Sequence, residues 1–443
     1  MGNKKKARFE LNEKQLGYAM VIPSLILVVV VILWPVAQSF WNSMFDYRLN
    51  DPARSETLLG SNMDLESYLN NYFYIENQLE DLKSSTDKEA IKETITSVEQ
   101  GIISHHEDLI SDEAIKQKVD KINEMLMNYK PVKDMELKYM EIETDFAKDY
   151  RSALDSYQED LSKISESIGD KALSEQFKQT AGLLGATSDT ILKSNFVGLA
   201  NYVNYFQDIR MWRSLWNTTY FTVLSVAFEL MLGLAIALLI NRAFKGRGII
   251  RASVLIPWAI PTAVAAMMWG FLYDGQSGIV GHYLELLHII PDASWLLSTA
   301  DGGMFSVIFA DVWKTTPYMA LLLLAGLQTI PASLYEASDV DGANKFQQFR
   351  NITLPLLKSS ILVALLFRTL DAFRVFDLIY VLTGGGPANA TESISIYAYK
   401  TLFAQQNFGE GSTLSVIVFL CVAVISIVYV KLIGSELFAG RSK

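Results

Sequence analysis

Six long apolar segments most constrain the fold of this 443-residue chain. A helix needs about 20 mostly apolar residues to cross the hydrocarbon core of a bilayer, where every backbone polar group must find a partner inside the structure. The first segment is no cleaved signal peptide, because it is too long, contains two prolines and lacks a small-residue exit site. We therefore predict an all-α, polytopic membrane protein with six transmembrane helices. The predicted spans are Leu16–Phe40, Leu215–Ile240, Ala252–Tyr273, Met304–Ile330, Ser359–Leu382 and Leu414–Ile433.

An acidic segment separates the first two spans. From Asp46 to Lys193 the chain has 31 acidic and 17 basic residues, a net charge of −14, which leaves +4 for the remainder. This contrast predicts three parts: residues 1–45 with the first span, a soluble insert at 46–194, and a membrane core at 195–443 with the other five spans. The insert is interpreted either as a solvated bundle or as a docking platform for a binding protein.

Apolar residues recur in the insert at helical spacing. Steps of three and four residues connect ten of them, which is the period of an α-helix. We predict a helical hairpin that turns near Tyr129–Pro131, with one or two more helices at Leu65–Leu82 and Ala90–Ile103. The ten residues are Met135, Tyr139, Ile142, Phe146, Tyr150, Ala153, Tyr157, Leu161, Ile164 and Ile168.

The distribution of Lys and Arg predicts the orientation of the spans. Basic residues accumulate in cytoplasmic connections, whereas the connection Asp274–Gly303 has four acids and no Lys or Arg. Both termini are therefore expected in the cytoplasm, and the insert outside. The basic residues used are Lys4, Lys5, Lys6, Arg8 and Lys14, then Arg242, Lys245, Arg247 and Arg251, then Lys345, Arg350 and Lys358, and finally Lys431, Arg441 and Lys443.

The connection at 331–355 has the signals of a rigid helix–turn–helix. Pro331 suits the first turn of a helix, and Gly342 suits its end because glycine readily adopts the left-handed conformation. Asn344 can cap a second short helix, and Pro355 restarts the chain toward the membrane. The predicted orientation places this loop in the cytoplasm, where Glu336 offers a charged side chain for contact with a partner.

The same connection resembles the EAA loop of ABC-importer permeases. Its pattern of Glu-Ala-Ala, a later Gly and Ile-x-Leu-Pro is matched except at Ser338, where alanine is usual. The segments Pro257–Pro261 and Thr383–Pro387 also look like the third-helix signature and the glycine turn of carbohydrate-class permeases. The resemblance covers 16–40 and 195–436 but not the insert. The matching loop positions are Glu336, Ala337, Gly342, Ile352, Leu354 and Pro355.

The resemblance implies the permease subunit of a carbohydrate-class type I ABC importer, of the maltose and oligosaccharide group, in the plasma membrane. It implies a second, different permease, two ABC ATPase subunits gripping the EAA-type loops, an extracytoplasmic solute-binding protein and surrounding lipid. The expected cargo is a disaccharide or oligosaccharide. No catalytic or metal-ligating residue, bound cofactor or nucleic acid is expected for this chain, since the partner ATPases bind the ATP and Mg²⁺.

Charged residues inside spans are costly and mark candidate functional sites. Asp311 and its neighbours lie in the fourth predicted span, and Arg368, Asp371, Arg374 and Asp377 in the fifth. The resemblance to maltose-type permeases implies that these two spans hold the sugar, although this chain has charges where that site is mostly neutral. The candidate substrate-binding residues are Trp313, Lys314, Thr315, Tyr318, Arg368, Asp371, Ala372 and Val375.

Other interpretations of these charges stay open. Arg368–Asp371 and Arg374–Asp377 can be ion pairs that only hold helices together, and Glu229 fits a helix-packing role. A glycerol phosphate cargo can pair with Lys314 and Arg368. An ion-coupled secondary transporter is the main alternative for the whole protein, but it leaves the Glu336–Pro355 motif unexplained. A sensory receptor would need a large cytoplasmic domain where only Asn241–Arg251 follows the second span.

Overall fold

A computed structural model describes residues 12–439. The chain divides into two compact units, and each is considered by itself. The membrane unit comprises Met1–Met44 and Leu199–Lys443, and the insert unit comprises Phe45–Gly198. The basic residues Lys4, Lys5, Lys6, Arg8, Arg441 and Lys443, which contributed to the predicted orientation, lie outside the described residues.

The first span is a long helix with a π-helical turn. It comprises α1 (Glu13–Val28), the π turn Val29–Leu33 and α2 (Trp34–Asn42). The turn precedes Pro35, which has no N–H to donate, and the N–H of Trp34 bonds the carbonyl of Val29 instead. No side chain from Gly17 to Asn42 is buried within the described chain.

The insert unit combines six helices with a small antiparallel sheet. Asp64, Asp112, Asp134 and Asp170 cap the starts of four helices through their carboxylates. The helices are α3 (Leu65–Ser85), α4 (Glu89–Leu109), α5 (Glu113–Met127), α6 (Met135–Lys138), α7 (Thr144–Ser167) and α8 (Lys171–Ser188). The strands are β1 (Ser61–Asp64), β2 (Tyr139–Ile142) and β3 (Ile191–Leu192), in the order β2-β1-β3.

The sheet is a departure from the helical insert that the sequence predicts. Met63, at its centre, pairs with Met140 on one side and Ile191 on the other, and all three side chains are buried. Tyr139 and Ile142 fit a helical step of three, but Met140 and Ile142 alternate inward as in a strand. The predicted helix from Met135 to Ile168 is therefore wrong at its start, because β1 supplies a partner that periodicity does not reveal.

The helix arrangement of the insert also differs from the predicted hairpin. The chain does turn after α5, where Tyr129 has a positive φ of 51°. However, α7 packs against α8 and α4, and α3 packs against α8, α4 and α5. The sequence analysis missed α8. Their shared core includes Tyr68, Ile75, Leu79, Ile95, Tyr150, Leu154, Leu161, Phe177 and Leu184.

The membrane unit continues with fourteen helices among its described residues. They are α9 (Ala200–Gln207), α10 (Ile209–Asn241), α11 (Arg247–Val254), α12 (Ile256–Ala259), α13 (Thr262–Leu272), α14 (Ile279–Leu286), α15 (Trp295–Ser298), α16 (Ala300–Leu327), α17 (Ala332–Val340), α18 (Lys345–Gln348), α19 (Leu354–Phe373), α20 (Asp377–Leu382), α21 (Ile394–Tyr399) and α22 (Phe408–Ala439). Long apolar helices confirm a polytopic helical membrane fold.

Five helices between residues 12 and 439 are long and apolar enough to cross a membrane. The predicted third span, Ala252–Tyr273, is instead divided among α11, α12 and α13, because Pro257 and Pro261 cannot donate backbone hydrogen bonds. The predicted fifth span is also interrupted, since α19 ends at Phe373 and α20 starts at Asp377. Between them the carbonyl of Val375 accepts a hydrogen bond from Ser393.

Close packing of α10, α16 and α19 forms the centre of the membrane unit. Gly233 on α10 allows the approach, because a Cβ at that position would come within 2.8 Å of the Met319 side chain on α16. Buried apolar residues on all three helices, including Phe221, Leu323 and Ala364, belong to one core cluster. This packing places the polar residues of the second, fourth and fifth predicted spans side by side.

Candidate functional site

A polar cavity of about 410 Å³ lies within the membrane unit. Residues of α12, α13, α16, α19 and the start of α20 line it, so the interrupted spans contribute directly to its wall. The lining residues include six of the predicted substrate-binding residues, namely Lys314, Thr315, Arg368, Asp371, Ala372 and Val375. The others are Trp258, Thr262, Asp311, Arg374, Phe376, Asp377 and Leu378.

Two predicted substrate-binding residues do not line this cavity. Tyr318 lies behind the wall, where its ring stacks on the lining residue Trp258 with centroids 5.5 Å apart. Trp313 packs edge-on against Trp269, with centroids 5.4 Å apart, and adjoins the apolar core. Both residues therefore position other aromatic rings in this structure. Their spacing along α16 did not reveal this, because it does not identify the rings on neighbouring helices.

Arg368 is the centre of a buried charge cluster. The residue is only 1% exposed, yet its guanidinium binds carboxylates from three helices. Its Nε and Nη2 donate to the two Glu229 oxygens on α10 at 2.5 and 2.8 Å. Nη2 also donates to Asp311 on α16, and Nη1 donates to Asp371 Oδ2 at 3.0 Å. The cluster joins the three central helices at one point.

Glu229 is fully buried and does not line the cavity. The Thr315 hydroxyl donates to its Oε1 at 2.7 Å, so both carboxylate oxygens have partners. The interpretation of Glu229 as a helix-packing residue agrees with this geometry. The acid at 229 was the available signal, but the sequence could not show that Arg368, 139 residues away, is its partner.

Two other polar residues of the cavity, Asp371 and Lys314, contrast with Arg368. The Asp371 side chain is 66% exposed, so most of its carboxylate surface is open. Lys314 is buried, and within residues 12–439 its ammonium has no hydrogen bond or ion pair. Since Lys314 lines the cavity and its ammonium has no partner among the described residues, it is suited to meet a polar ligand or water there. The suggested Arg374–Asp377 pair is not formed there, since Arg374 Nε donates to the carbonyl of Leu370.

The loop at 331–355 has the predicted local structure. Gly342 follows α17 with a φ of 76°, and the N–H of Ala343 reaches back to the carbonyl of Ser338. The Asn344 side chain and Gln347 form a reciprocal capping box at the start of α18. These observations confirm the expected helix–turn–helix. Pro331 lies one position earlier than predicted, as the N-cap residue of α17.

Side-chain contacts fix the two arms of this loop against each other. Gln348 is buried and donates to the Ser338 hydroxyl at 2.8 Å and to Asp339 at 2.5 Å. Tyr335 and Thr353 join the arms a second time, with their hydroxyls 3.0 Å apart. Ser338, the one departure from the EAA pattern, thus supplies a hydrogen-bonding oxygen that alanine lacks.

The matched EAA positions fall on both arms of the loop. Glu336, Ala337 and Gly342 are exposed around α17, and Ile352 lies partly buried in a π turn that precedes Pro355. Leu354 and Pro355 begin α19 and are also exposed. The loop presents a rigid surface whose apolar part includes Val340, which is 88% exposed.

A further buried acid, Glu392, was not predicted. Glu392 follows the glycine turn and bonds Arg210 through both carboxylate oxygens at 2.9 Å, and Lys400 Nζ at 2.9 Å. Burial by itself would raise the pKa of Glu392, but the hydrogen bonds from Arg210 and Lys400 outweigh it and hold that pKa below the usual value. This cluster fixes the 383–393 segment to α10 and to Lys400, the residue after α21.

Comparison with known proteins identifies the membrane unit. A sequence model of the family described as "Binding-protein-dependent transport system inner membrane component" matches residues 229–434. The "Trehalose/maltose transport system permease protein MalF" of Thermococcus litoralis is 49% identical over 236 residues, 53% of this chain and 79% of that protein. The chain belongs to this family.

Two further relatives support the assignment of this inner membrane component. The "Trehalose transport system permease protein SugA" of Mycobacterium tuberculosis is 45% identical, over 56% of this chain and 78% of that protein. The "Sulfoquinovosyl glycerol transport system permease protein SmoG" of Agrobacterium fabrum is 40% identical, over 55% of this chain and 79% of that protein. The family match at 229–434 lies wholly inside the membrane unit.

Proposed function

We propose that this inner membrane component is the permease subunit of an ATP-driven importer whose cargo is a disaccharide or short oligosaccharide. The polar cavity among the central helices carries the proposal. Its charged groups suit sugar hydroxyls, and the Trp258 ring suits the C–H face of a sugar. The three relatives support the same class, because trehalose, maltose and sulfoquinovosyl glycerol are all glycosides.

The loop at 331–355 is the proposed site of energy coupling. Its exposed Glu336 and Val340 offer a charge and an apolar contact to an ATPase subunit, and the bonds through Gln348 keep the two arms rigid. Two ATPase subunits would serve a pair of permeases. ATP and Mg²⁺ would bind to those subunits, which leaves this chain the roles of conducting the cargo and receiving the conformational signal.

The first span supports a second permease as a partner. From Gly17 to Asn42 no side chain is buried within the described chain, so this helix has a large apolar surface available to a neighbouring subunit and to lipid. A different permease is the favoured neighbour, since the insert unit would be duplicated in a symmetric pair. The pair would form one pathway and alternate between two states.

The proposed orientation has cytoplasmic termini, an outward insert and a cytoplasmic EAA-type loop. It follows from the charge pattern of the connections, in which the four acids of Asp274–Gly303 oppose the basic residues of the other loops. A solute-binding protein would then deliver cargo from the side of the insert.

Purification of the full chain from its native membrane in mild detergent tests the proposal. We expect mass spectrometry to find an ATPase with a phosphate-binding loop and a second six-span permease in the same complex. Uptake of labelled maltose or trehalose by cells with and without the chain would test the cargo. Isolation of the chain alone, or only with copies of itself, would contradict the importer and favour ion-coupled transport.

Glu336→Lys tests the coupling loop separately. We expect this variant to insert into the membrane normally but to lose most of the ATPase from the purified complex, because the exposed side chain at position 336 changes from negative to positive. Glu175→Lys, at an exposed position of α8 in the insert unit, is the matched control and should retain the ATPase. Normal ATPase recovery and uptake in Glu336→Lys would exclude a coupling role for this residue.

A further inference from the structure

The further inference rests on the proposed sugar transport and concerns how the cavity chooses among sugars. We propose that Glu229 and Asp311 are positioning residues that hold Arg368 away from the cargo, so that the cavity accepts uncharged sugars and rejects anionic ones. An arginine in a transport cavity would ordinarily favour carboxylate or phosphate groups, which it binds in a bidentate manner. The geometry around Arg368 excludes that use.

The guanidinium of Arg368 has almost no capacity left for a ligand. Of its five N–H groups, one at Nε, both at Nη2 and one at Nη1 are directed to carboxylates of this chain. Its side chain is also only 2% exposed. An arriving anion would therefore meet a single free donor. To gain a bidentate contact it would have to displace Glu229 or Asp311, which would leave a carboxylate buried without a partner.

The charges that line the cavity also disfavour an anionic cargo. Three basic residues line the cavity, Lys314, Arg368 and Arg374, and three acidic residues oppose them, Asp311, Asp371 and Asp377. Glu229 lies directly behind the wall, where it accepts hydrogen bonds from Arg368. An anionic cargo would bring another negative charge next to the open carboxylate of Asp371, and the two like charges would repel each other.

A neutral hydroxyl does not meet this obstacle. It donates to one partner and accepts from another, so it can bridge the carboxylate of Asp371 and the ammonium of Lys314. Asp371 binds Arg368 through one oxygen only, Oδ2, and its other oxygen has no partner within the described residues. The second oxygen of Asp371 and the ammonium of Lys314 thus stay available to the cargo, while Glu229 and Asp311 hold the guanidinium of Arg368.

The test uses the purified complex of the full chain with its co-purifying subunits in lipid nanodiscs, without the delivery protein. Binding of radiolabelled maltose and trehalose is measured by equilibrium dialysis. The competitor is a maltose derivative whose primary alcohol is oxidised to a carboxylate. We expect the wild-type complex to bind the neutral sugar at least tenfold more tightly than this uronate.

Glu229→Gln should lower the ratio of the affinity for maltose to the affinity for the uronate. It keeps the shape of the side chain but replaces one of the two oxygens that accept from Arg368 with an NH2 group, which weakens the hold on Arg368. Binding of the uronate should therefore improve about tenfold, while that of maltose changes less than threefold. Asp311→Asn is the second variant and should act in the same direction if Glu229→Gln does not fold. A purely structural role would instead lower the amount of complex and leave the ratio unchanged.

Glu392→Gln is the matched control, because Glu392 is also a fully buried acid bound to two cations but does not line the cavity. It should reduce the yield of folded complex without changing the ratio. The inference is overturned if the uronate competes as well as maltose in the wild type, or if both substitutions at the cluster leave the ratio unchanged. If the wild-type complex binds neither neutral sugar, the proposed cargo itself is wrong and the inference falls with it.

Discussion

The insert unit and the membrane unit differ in whether they bury charged side chains. Among the described residues, every buried Asp, Glu, Lys or Arg lies in the membrane unit: Glu229, Asp311, Lys314, Arg368 and Glu392. The buried residues of the insert unit are apolar or uncharged, as in Tyr68, Leu79 and Leu154. The membrane unit in turn exposes apolar side chains along its long helices, such as Val223 and Val424.

The difference follows from the two solvents. Water solvates a charge and drives apolar groups inward, so the acidic insert places its charges at the surface. Hydrocarbon gives no advantage to burying leucine and makes any exposed charge costly, so the charges of the membrane unit turn inward and need partners there. Ion pairs at the surface of the insert, such as Lys163–Glu159, contribute little to its stability. Loss of Arg368, in contrast, would leave buried carboxylates without a partner.

Removal of Arg368 should have the largest effect on this contrast. Arg368→Met leaves Glu229 and Asp311 buried without their cation, which should destabilise the membrane unit by about 3–5 kcal/mol. The measurement is the yield and thermal stability of the full complex by fluorescence-detected size-exclusion chromatography. Arg374→Met, at an exposed position just beyond α19, is the control and should remain near wild type. Equal stability of both variants would contradict the role assigned to the cluster.

Matched Leu→Ala substitutions should have the next largest effect, and they should reduce the stability of the insert unit more than that of the membrane unit. Leu154→Ala opens a cavity in the fully buried core of the insert and should cost about 2–5 kcal/mol. Leu420→Ala, on the exposed face of α22, removes contacts with lipid instead and should cost well under about 1 kcal/mol. Hydrogen exchange of the full chain, followed by mass spectrometry, should show faster exchange in α7 and α8 only for Leu154→Ala. A similar loss of stability from both substitutions would contradict the proposed difference between the two units.

Acidification should produce a smaller effect, confined to the insert unit. His106 stacks on Tyr72, and its Nδ1 lies 3.0 Å from the Tyr68 hydroxyl. Burial lowers the pKa of His106 below its usual value, against the opposing charges of Glu76 and Glu107. Neutral His106 therefore contributes its full stabilisation of the insert unit above the pKa of about 6.5 that it has in the unfolded chain. This contribution declines as the pH falls through the lower pKa of His106 in the folded protein.

The measurement is hydrogen exchange of α3 and α4 between pH 7.5 and 5, corrected for intrinsic exchange rates. We expect protection to decrease toward pH 5 in the wild type. His106→Phe keeps an aromatic ring against Tyr72 but cannot be protonated, so its pH dependence should be weaker. An identical pH profile in the two proteins would show that His106 is not the responsible group.

Local features of the loop were accessible to sequence analysis because their causes lie within a few residues. Gly342 needs no distant partner to adopt a left-handed conformation, and Asn344 caps a helix whose N–H groups are its own neighbours. The prolines at 257 and 261 were equally visible, and we interpreted them as a signature, while the structure shows that they divide the span. Strand β2 escaped prediction because its partner, β1, lies some eighty residues earlier in the chain.

The candidate cavity shows the same limit. Six of its lining residues were predicted by position, but sequence analysis treated Arg368 and Asp371 alike, as groups that touch the cargo. Packing separates them: Arg368 is enclosed by the carboxylates of Glu229 and Asp311, and Asp371 remains open. Trp313 and Tyr318 were also predicted, and packing turns them toward Trp269 and Trp258.

Linear patterns were enough to predict that this chain crosses a membrane repeatedly, that an acidic, mainly helical segment interrupts it, and that one loop has a rigid helix–turn–helix form. Each of these depends on hydrophobicity or on neighbouring residues, which a linear pattern records. The folded chain was needed to show which acids pair with Arg368, which spans are broken and which residues line the cavity. Those outcomes depend on contacts between helices far apart in the chain, where burial removes water and every charge must find a partner.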